Sequence, residues 1–238
     1  MPDPKRTGPH LPDHHLAGDP PIPLILRRSA QARRISLRIS QLDGRVTLTL
    51  PKRLDTAQAL DFARSKEDWI RKHLEARGED VVVGHGVRLP LGGRMYRVEQ
   101  GTGRSVQITP DGIFVPGPAE RAGARLGAHL RALARDRLAG ASDDYAALLG
   151  RPYARISLRD TRSRWGSCTS DGGLMYSWRL IMAPPEVLDY VAAHEVAHLQ
   201  EMNHSAAFWA QVTRIYGDYA APRRWLRRHG STLHRYKF

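Results

Sequence analysis

Residues 194–204 read HEVAHLQEMNH: three histidines, with an acid directly after the first, inside an apolar stretch. Burying imidazoles beside a carboxylate is costly unless something holds them. On a helix, two residues four apart lie about 40 degrees apart around the axis and one turn along, so His194 and His198 can reach one ion. Glu195 sits about 100 degrees further round, beside that ion and not on it. Two nitrogen ligands with a carboxylate placed to take a proton from metal-bound water are what a zinc hydrolase requires. Zinc brings the pKa of such water to about 7, and nitrogen ligands suit it better than calcium or magnesium. Catalytic zinc takes three protein ligands and keeps a fourth position open, and His204 is the best third candidate. The chain must turn back between the helix and the Ser205 cap, where Asn203 tolerates a left-handed conformation.

The spacing imitates a metzincin, but Glu201 stands where that pattern has glycine, and no methionine follows Met202 to make a Met-turn. The motif also needs a helix to carry it. Pro185 and Glu186 suit a first helical turn, and Val187, Leu188, Tyr190, Val191, Ala193, Val196, Ala197 and Leu199 make the segment from about Pro185 to Glu201 apolar nearly all round. Such a helix is buried. Ser205 caps a second helix carrying Phe208, Trp209, Val212, Ile215 and Tyr216 and ending at Gly217, and a basic helix covers about Tyr219 to His229.

Upstream, residues 1–21 lack periodicity and are expected as a disordered tail, with the His14-His15 pair incidental. IPLILRRS, RRISLRIS and GRVTLTLP read as a β-meander with a turn at Asp43-Gly44. Ala59, Phe62, Ala63, Trp69, Ile70 and Leu74 mark one helix, started by Asp55 or Thr56 and ended by Gly78. Short strands follow, then a long helix over 119–149 carrying Leu126, Leu130, Leu133, Leu138, Tyr145 and Leu148. YARISLRDTRSRWGSC reads as a strand entering a turn, and GLMYSWRLIM as another strand.

The 238 residues suffice for a sizeable core, and 41% hydrophobic against 26% charged is an ordinary globular balance. No apolar run approaches the roughly 20 residues of a membrane span. MPDPKRTGPH has no apolar h-region, so no secretory signal is expected. A lone Cys168 excludes an internal disulfide and a multi-thiolate site, which favours a cytoplasmic location. The net charge of +13 is concentrated in Leu24–Arg53 and Tyr219–Phe238, a basic surface suited to nucleic acid, an anionic membrane or an acidic partner, or simply to solvent.

The stretch from Ser163 to Trp209, SRWGSC through WRL and a helix-starting proline to the HExxH-x5-H motif, resembles the YgjP-like metallopeptidases, relatives of the SprT-like and WLM zinc peptidases. The likeness extends back through RRISLRIS, DWIRKHL and LGGRMYRV. It implies a zincin-type domain with ligands His194, His198 and His204 and Glu195 as general base. One departure is Ser177, where the family usually has asparagine before WRL. In the RSRWGSC turn Arg164 could polarise a substrate carbonyl or hold an anionic group, and Trp165 and Tyr176 are further substrate-binding candidates. Trp165 is also suited to packing, Cys168 to an approach to the metal or to a small buried thiol, and Tyr176 and Tyr219 to either an oxyanion contact or the core.

The reading is an α+β protein with a tail over 1–21, a β-rich region with one helix over 22–118, and a zincin-like domain with an HExxH helix over 119–238. It is expected to be a zinc-dependent peptidase acting on a peptide or protein substrate, with no membrane partner. Two alternatives stand beside it: a metal-dependent nucleotide or phosphate-ester hydrolase, and a nucleic-acid-binding module with a structural zinc.

Overall fold

A computed structural model describes residues 14–40, 43–77 and 79–238. The chain forms two compact units, one ending at Glu79 and one covering Asp80–Phe238. In the first, β1 (His14–Leu16), β2 (Ile22–Ser29), β3 (Ser36–Ile39) and β4 (Val46–Pro51) form a sheet in the order β1-β2-β4-β3. This corrects the expected meander, because β2 and β4 are parallel neighbours and β3 pairs antiparallel on the far side of β4. The apolar pattern accounts for the order. Val46, Leu48 and Leu50 are fully buried and put β4 inside, whereas Leu37 and Ile39 are half-buried and leave β3 at the edge.

Order is present within the stretch expected as tail. His14–Leu16 pair with Ile22–Leu24, Leu16 is buried, and the Arg71 guanidinium donates to the carbonyls of Ala17 (2.8 Å) and Pro20 (3.1 Å), pinning the connection. Residues 1–13 and the expected terminator Gly78 lie outside the described residues. The single helix expected after β4 is two: α1 (Thr56–Arg64), capped by the Asp55 side chain, and α2 (Glu67–Arg77). The break at Ser65 shifts the helical phase, so Ile70 stays buried while Trp69 turns outward at 44% exposure.

The second unit contains β5 (Val81–Val82), β6 (Arg88–Leu91), β7 (Arg94–Gly101), β8 (Gln107–Thr109), β9 (Gly112–Pro116), the long α3 (Ala122–Leu149), β10 (Arg155–Arg159), β11 (Gly166–Cys168) and β12 (Gly173–Ser177). Then come α4 (Pro185–Ala197), α5 (Ala206–Tyr216), α6 (Ala220–His229) and β13 (Tyr236–Lys237). The whole is a mixed α+β fold with six helices among the described residues. The sheets of this second unit run β6-β7-β9-β8, β10-β12-β11 and β13-β5. The boundary expected at 118/119 does not divide it, because Leu89, Val98, Ile113 and Val115 share one core with Leu126 and Leu130 of α3 and with α4. Leu148 is 58% exposed, since Ala146 and Leu149 take the buried face and Leu148 falls about 100 degrees away from its neighbour.

Two devices fix the start of α4. Gly92 and Gly93, both at positive φ, close the β6–β7 hairpin and donate to the carbonyls of Ile181 (2.9 Å) and Met182 (3.4 Å). The strand expected over GLMYSWRLIM ends at Ser177, and Trp178–Met182 wind into a buried 3₁₀ turn. Within that turn Arg179, 6% exposed, binds both carboxylate oxygens of Asp160 (2.6 and 3.0 Å) and donates to the carbonyls of Leu233 and Tyr236 (both 2.9 Å). One guanidinium thus joins the end of β10, the approach to α4 and the C-terminal segment.

Burial would raise the Asp160 pKa, but the Arg179 hydrogen bonds and charge outweigh it and hold the carboxyl below the usual carboxylate range. The folded pKa is depressed, so the stability it contributes is present above the unfolded value of about 4 and is lost as pH falls through the folded pKa. Urea-unfolding midpoints measured from pH 7 to pH 3 should fall less steeply for Asp160→Asn than for the parent chain. Arg179→Ala should cost about 1–3 kcal/mol at neutral pH, chiefly because it leaves the carbonyls of Leu233 and Tyr236 without their donor while the exposed Asp160 carboxylate returns to water.

Candidate metal centre

Helix α4 begins with Pro185 at its first position and Glu186 in its first turn, and most of its residues are buried. It packs against α3, α5, α6 and β11. His194 and Glu195 lie in its last turn, and His198 caps it with helical backbone angles. The chain then tightens: Leu199, Gln200 and Glu201 donate back to Val196 and Ala197. No described non-glycine residue has positive φ, so Asn203 does not make the left-handed turn expected of it. Its side-chain oxygen instead accepts from the Ser205 N–H (3.0 Å), and the Ser205 hydroxyl caps α5 at Phe208. That pair of side-chain bonds returns His204 to the helix.

The result is convergence. The ligand atoms of His194, His198 and His204 lie within 4.8 Å of one another, a cluster able to hold a metal ion. Nε2 of His194 and Nε2 of His204 are 3.0 Å apart. His198 uses Nδ1 on the Glu201 carbonyl (2.9 Å), which can only accept, so its Nε2 keeps a free lone pair. Nδ1 of His194 is buried with no hydrogen-bond partner. Burial, followed by the neighbouring imidazoles and Arg223, pushes the His194 pKa down to about 3, and burial also lowers His198. Both rings are therefore neutral donors near pH 7. Three imidazole nitrogens close enough to share one ion suit a borderline cation such as zinc.

Glu195 is 6% exposed, and burial raises its pKa to about 8, with the Arg164 charge acting in the opposite direction. Its carboxylate lies against β11. A Cβ built at Gly166 would come 2.5 Å from both Cγ and Oε1 of Glu195, so only glycine lets the strand pass that closely. Nothing in the local sequence marks this glycine, and Phe208 and Trp209 show there only as a helical stripe. Phe208 is fully buried and packs against all three imidazoles at ring separations of 4.4–4.9 Å. Trp209 flanks His194 and His204, stacks on Tyr219, and carries the Arg223 guanidinium 4.5 Å from its ring centre.

The remaining candidates separate. Arg164 is exposed and close enough to Glu195 to affect its charge. Tyr176 is removed from the substrate candidates: it is fully buried, and its hydroxyl is engaged by Ser142 (3.0 Å) and Ala192 O (3.4 Å). Trp165 is half-buried and lays its ring against Gly230 and His234, so packing occupies the face that substrate contact would need. Cys168 donates to Thr169 O, and burial, with Glu195 and Asp171 adding to it, pushes its thiol up to about 11. It stays protonated and lies outside the histidine cluster.

A family model described as "YgjP-like, metallopeptidase domain" matches residues 33–229. Among solved structures the chain is similar to the metallopeptidase zymogen abylysin of Pyrococcus abyssi, with 18% identity over 39% of this chain and 92% of that one. The TM-score is 0.35, too low to carry an argument about this fold. No curated protein matches the chain.

Gly166→Ala should force either the Glu195 carboxylate or β11 to move, costing about 1–3 kcal/mol in urea unfolding. Gly84→Ala is the control, because nothing lies within 4 Å of the added methyl. Equal stabilities for the two variants would contradict the close approach.

Proposed function

This chain belongs to the YgjP-like metallopeptidase family, and from that premise we propose that it is a zinc-dependent peptidase of zincin type. His194, His198 and His204 would hold the ion, and Glu195 would be the general base. The observation that carries the reading is the convergence of three imidazoles, of which His194 and His198 are held neutral by burial, with a carboxylate on the residue after the first. The facing Nε2 atoms of His194 and His204 support the fit, since each can offer its lone pair to one cation in the tautomer protonated at Nδ1.

Zinc bound there supplies a Lewis acid that makes water nucleophilic near neutral pH and polarises the scissile carbonyl. The protein groups do the rest. Glu195 takes a proton at its carboxylate from the attacking water and returns it to the leaving amine. Arg164 favours the ionised form that the first of these transfers requires. Phe208 closes the apolar side of the histidine cluster and excludes water there, and Glu201 O fixes the His198 tautomer. A reducing, cytoplasmic setting suits the single thiol. Among the described residues no helix is long and apolar enough to cross a membrane. The family match lends no support to a nucleic-acid partner.

Glu195→Gln should keep about one zinc per chain by elemental analysis and lose at least about 100-fold in peptide hydrolysis. Hydrolysis that survives in that variant would remove Glu195 from the mechanism. His204→Ala should weaken zinc binding by more than the roughly 10–100-fold typical of a ligand's supporting contact. Full zinc occupancy in a competition titration would dismiss His204 as a ligand. Nucleoside triphosphates assayed beside peptides separate the phosphate-ester alternative, which requires turnover of the former alone.

A further inference from the structure

The three-stranded sheet β10-β12-β11 has two unlike faces. One carries Leu174 and Tyr176 into the core and sets Gly166 against Glu195. The other holds a groove of about 310 Å³ lined by Arg155, Arg159, Arg164, small hydroxyl residues and Met175, with no carboxylate in its lining. Alternation along β10 puts Arg155, Ser157 and Arg159 on this face together. The turn that follows is closed by the Thr161 hydroxyl donating to Arg164 O (2.7 Å), which returns Arg164 to the same end.

The nearby acids are already engaged. Asp171 pairs with Arg155 (2.8 Å), and Asp160 is held by Arg179. Arg159 and Arg164 are exposed and have no ion-pair partner among the described residues. The groove therefore presents two guanidiniums without a bound carboxylate, Arg159 and Arg164, the latter also acting at longer range on Glu195, and their flat forks match a carboxylate.

Its position relates it to the candidate centre. Strand β11 ends the sheet order, so one of its edges is unpaired. Ser177 N donates to Trp165 O, and Thr169 N donates to Gly173 O, so Trp165, Ser167 and Thr169 turn their peptide groups toward β12. By alternation Gly166 and Cys168 turn theirs to the free edge. An extended chain paired there would send alternate side chains to the face of Ser167, which borders the groove.

We propose that this groove is a specificity site for an acidic side chain of the peptide substrate, with Arg164 and Arg159 as its cationic partners. The proposal rests on the peptidase reading and adds a substrate class to it: peptides carrying glutamate or aspartate at an alternate position beside the scissile bond.

The test uses zinc-loaded Glu195→Gln protein and fluorescein-labelled peptides that differ only in having Glu, Gln or Lys at the alternate positions. Fluorescence anisotropy should give the Glu peptide about tenfold or greater advantage over the Gln peptide, the scale of a charge-assisted hydrogen bond. Adding Arg159→Gln and Arg164→Gln should bring the ratio to about one, while Arg151→Gln, outside this groove, leaves it unchanged. Equal affinity for the Glu and Gln peptides would overturn the proposal, as would binding of a nucleoside triphosphate where no peptide binds. Charge-selective binding that the parent enzyme never converts into cleavage would uphold the groove and defeat the peptidase reading. Cleavage indifferent to peptide charge would do the reverse.

Discussion

Desolvation governs the second unit. Glu195, His194 and His198 occupy a helix whose other residues are nearly all apolar, and removal from water pushes each toward its neutral form. A protein whose only requirement was stability would place leucine at these positions. Retaining them obliges the surroundings to compensate: a carbonyl for His198, a distant guanidinium for Glu195, and an aromatic floor for all three rings. The packing of α3, α5, α6 and β11 around α4 follows from the same need, since a helix apolar on every side must be covered on every side.

Positioning is distributed over parts that never touch the histidines. The diglycine hairpin holds the turn before α4, and Arg179 ties that turn to the end of β10 and to the C-terminal segment. Those contacts are hydrogen bonds to backbone carbonyls and one ion pair between a buried guanidinium and an exposed carboxylate. β11 then lies on the carboxylate with no side chain between them. The separation of Glu195 from the imidazoles is thus set by strand placement as much as by helix periodicity.

The elements that positioned these groups were legible wherever period and punctuation agreed. The apolar helix with proline at its start, the Ser205 cap and Gly217 at the end of α5 all follow from local chemistry, and the structure has each of them. The histidine spacing carried the site because a helix converts sequence distance directly into direction. Tertiary facts were less accessible. Nothing local says that β2 and β4 should lie side by side, since pairing is decided by which strand buries most. Trp69 and Leu148 look like core by composition, yet a broken helix and a neighbour's prior claim on the buried face turn them outward. Tyr176 fitted a catalytic role by type, and only burial against Ser142 excludes it. Gly166 was invisible for the opposite reason: its contribution is an absent side chain, which has meaning only when the group filling that space is known.

The pairing of β13 with β5 places Tyr236 opposite Val81 and Lys237 opposite Val82. Partners separated by so much intervening chain form a contact of very high order, whose loop-closure entropy must be met before any reward arrives. During synthesis the first strand of this unit has no partner until nearly the last of these residues has left the ribosome. The two-residue ladder is thus a latch that shuts last. A chain that has already assembled its helices would still present an open edge at Val81 until Tyr236 docks, so that interval is when this unit is most exposed to misassociation.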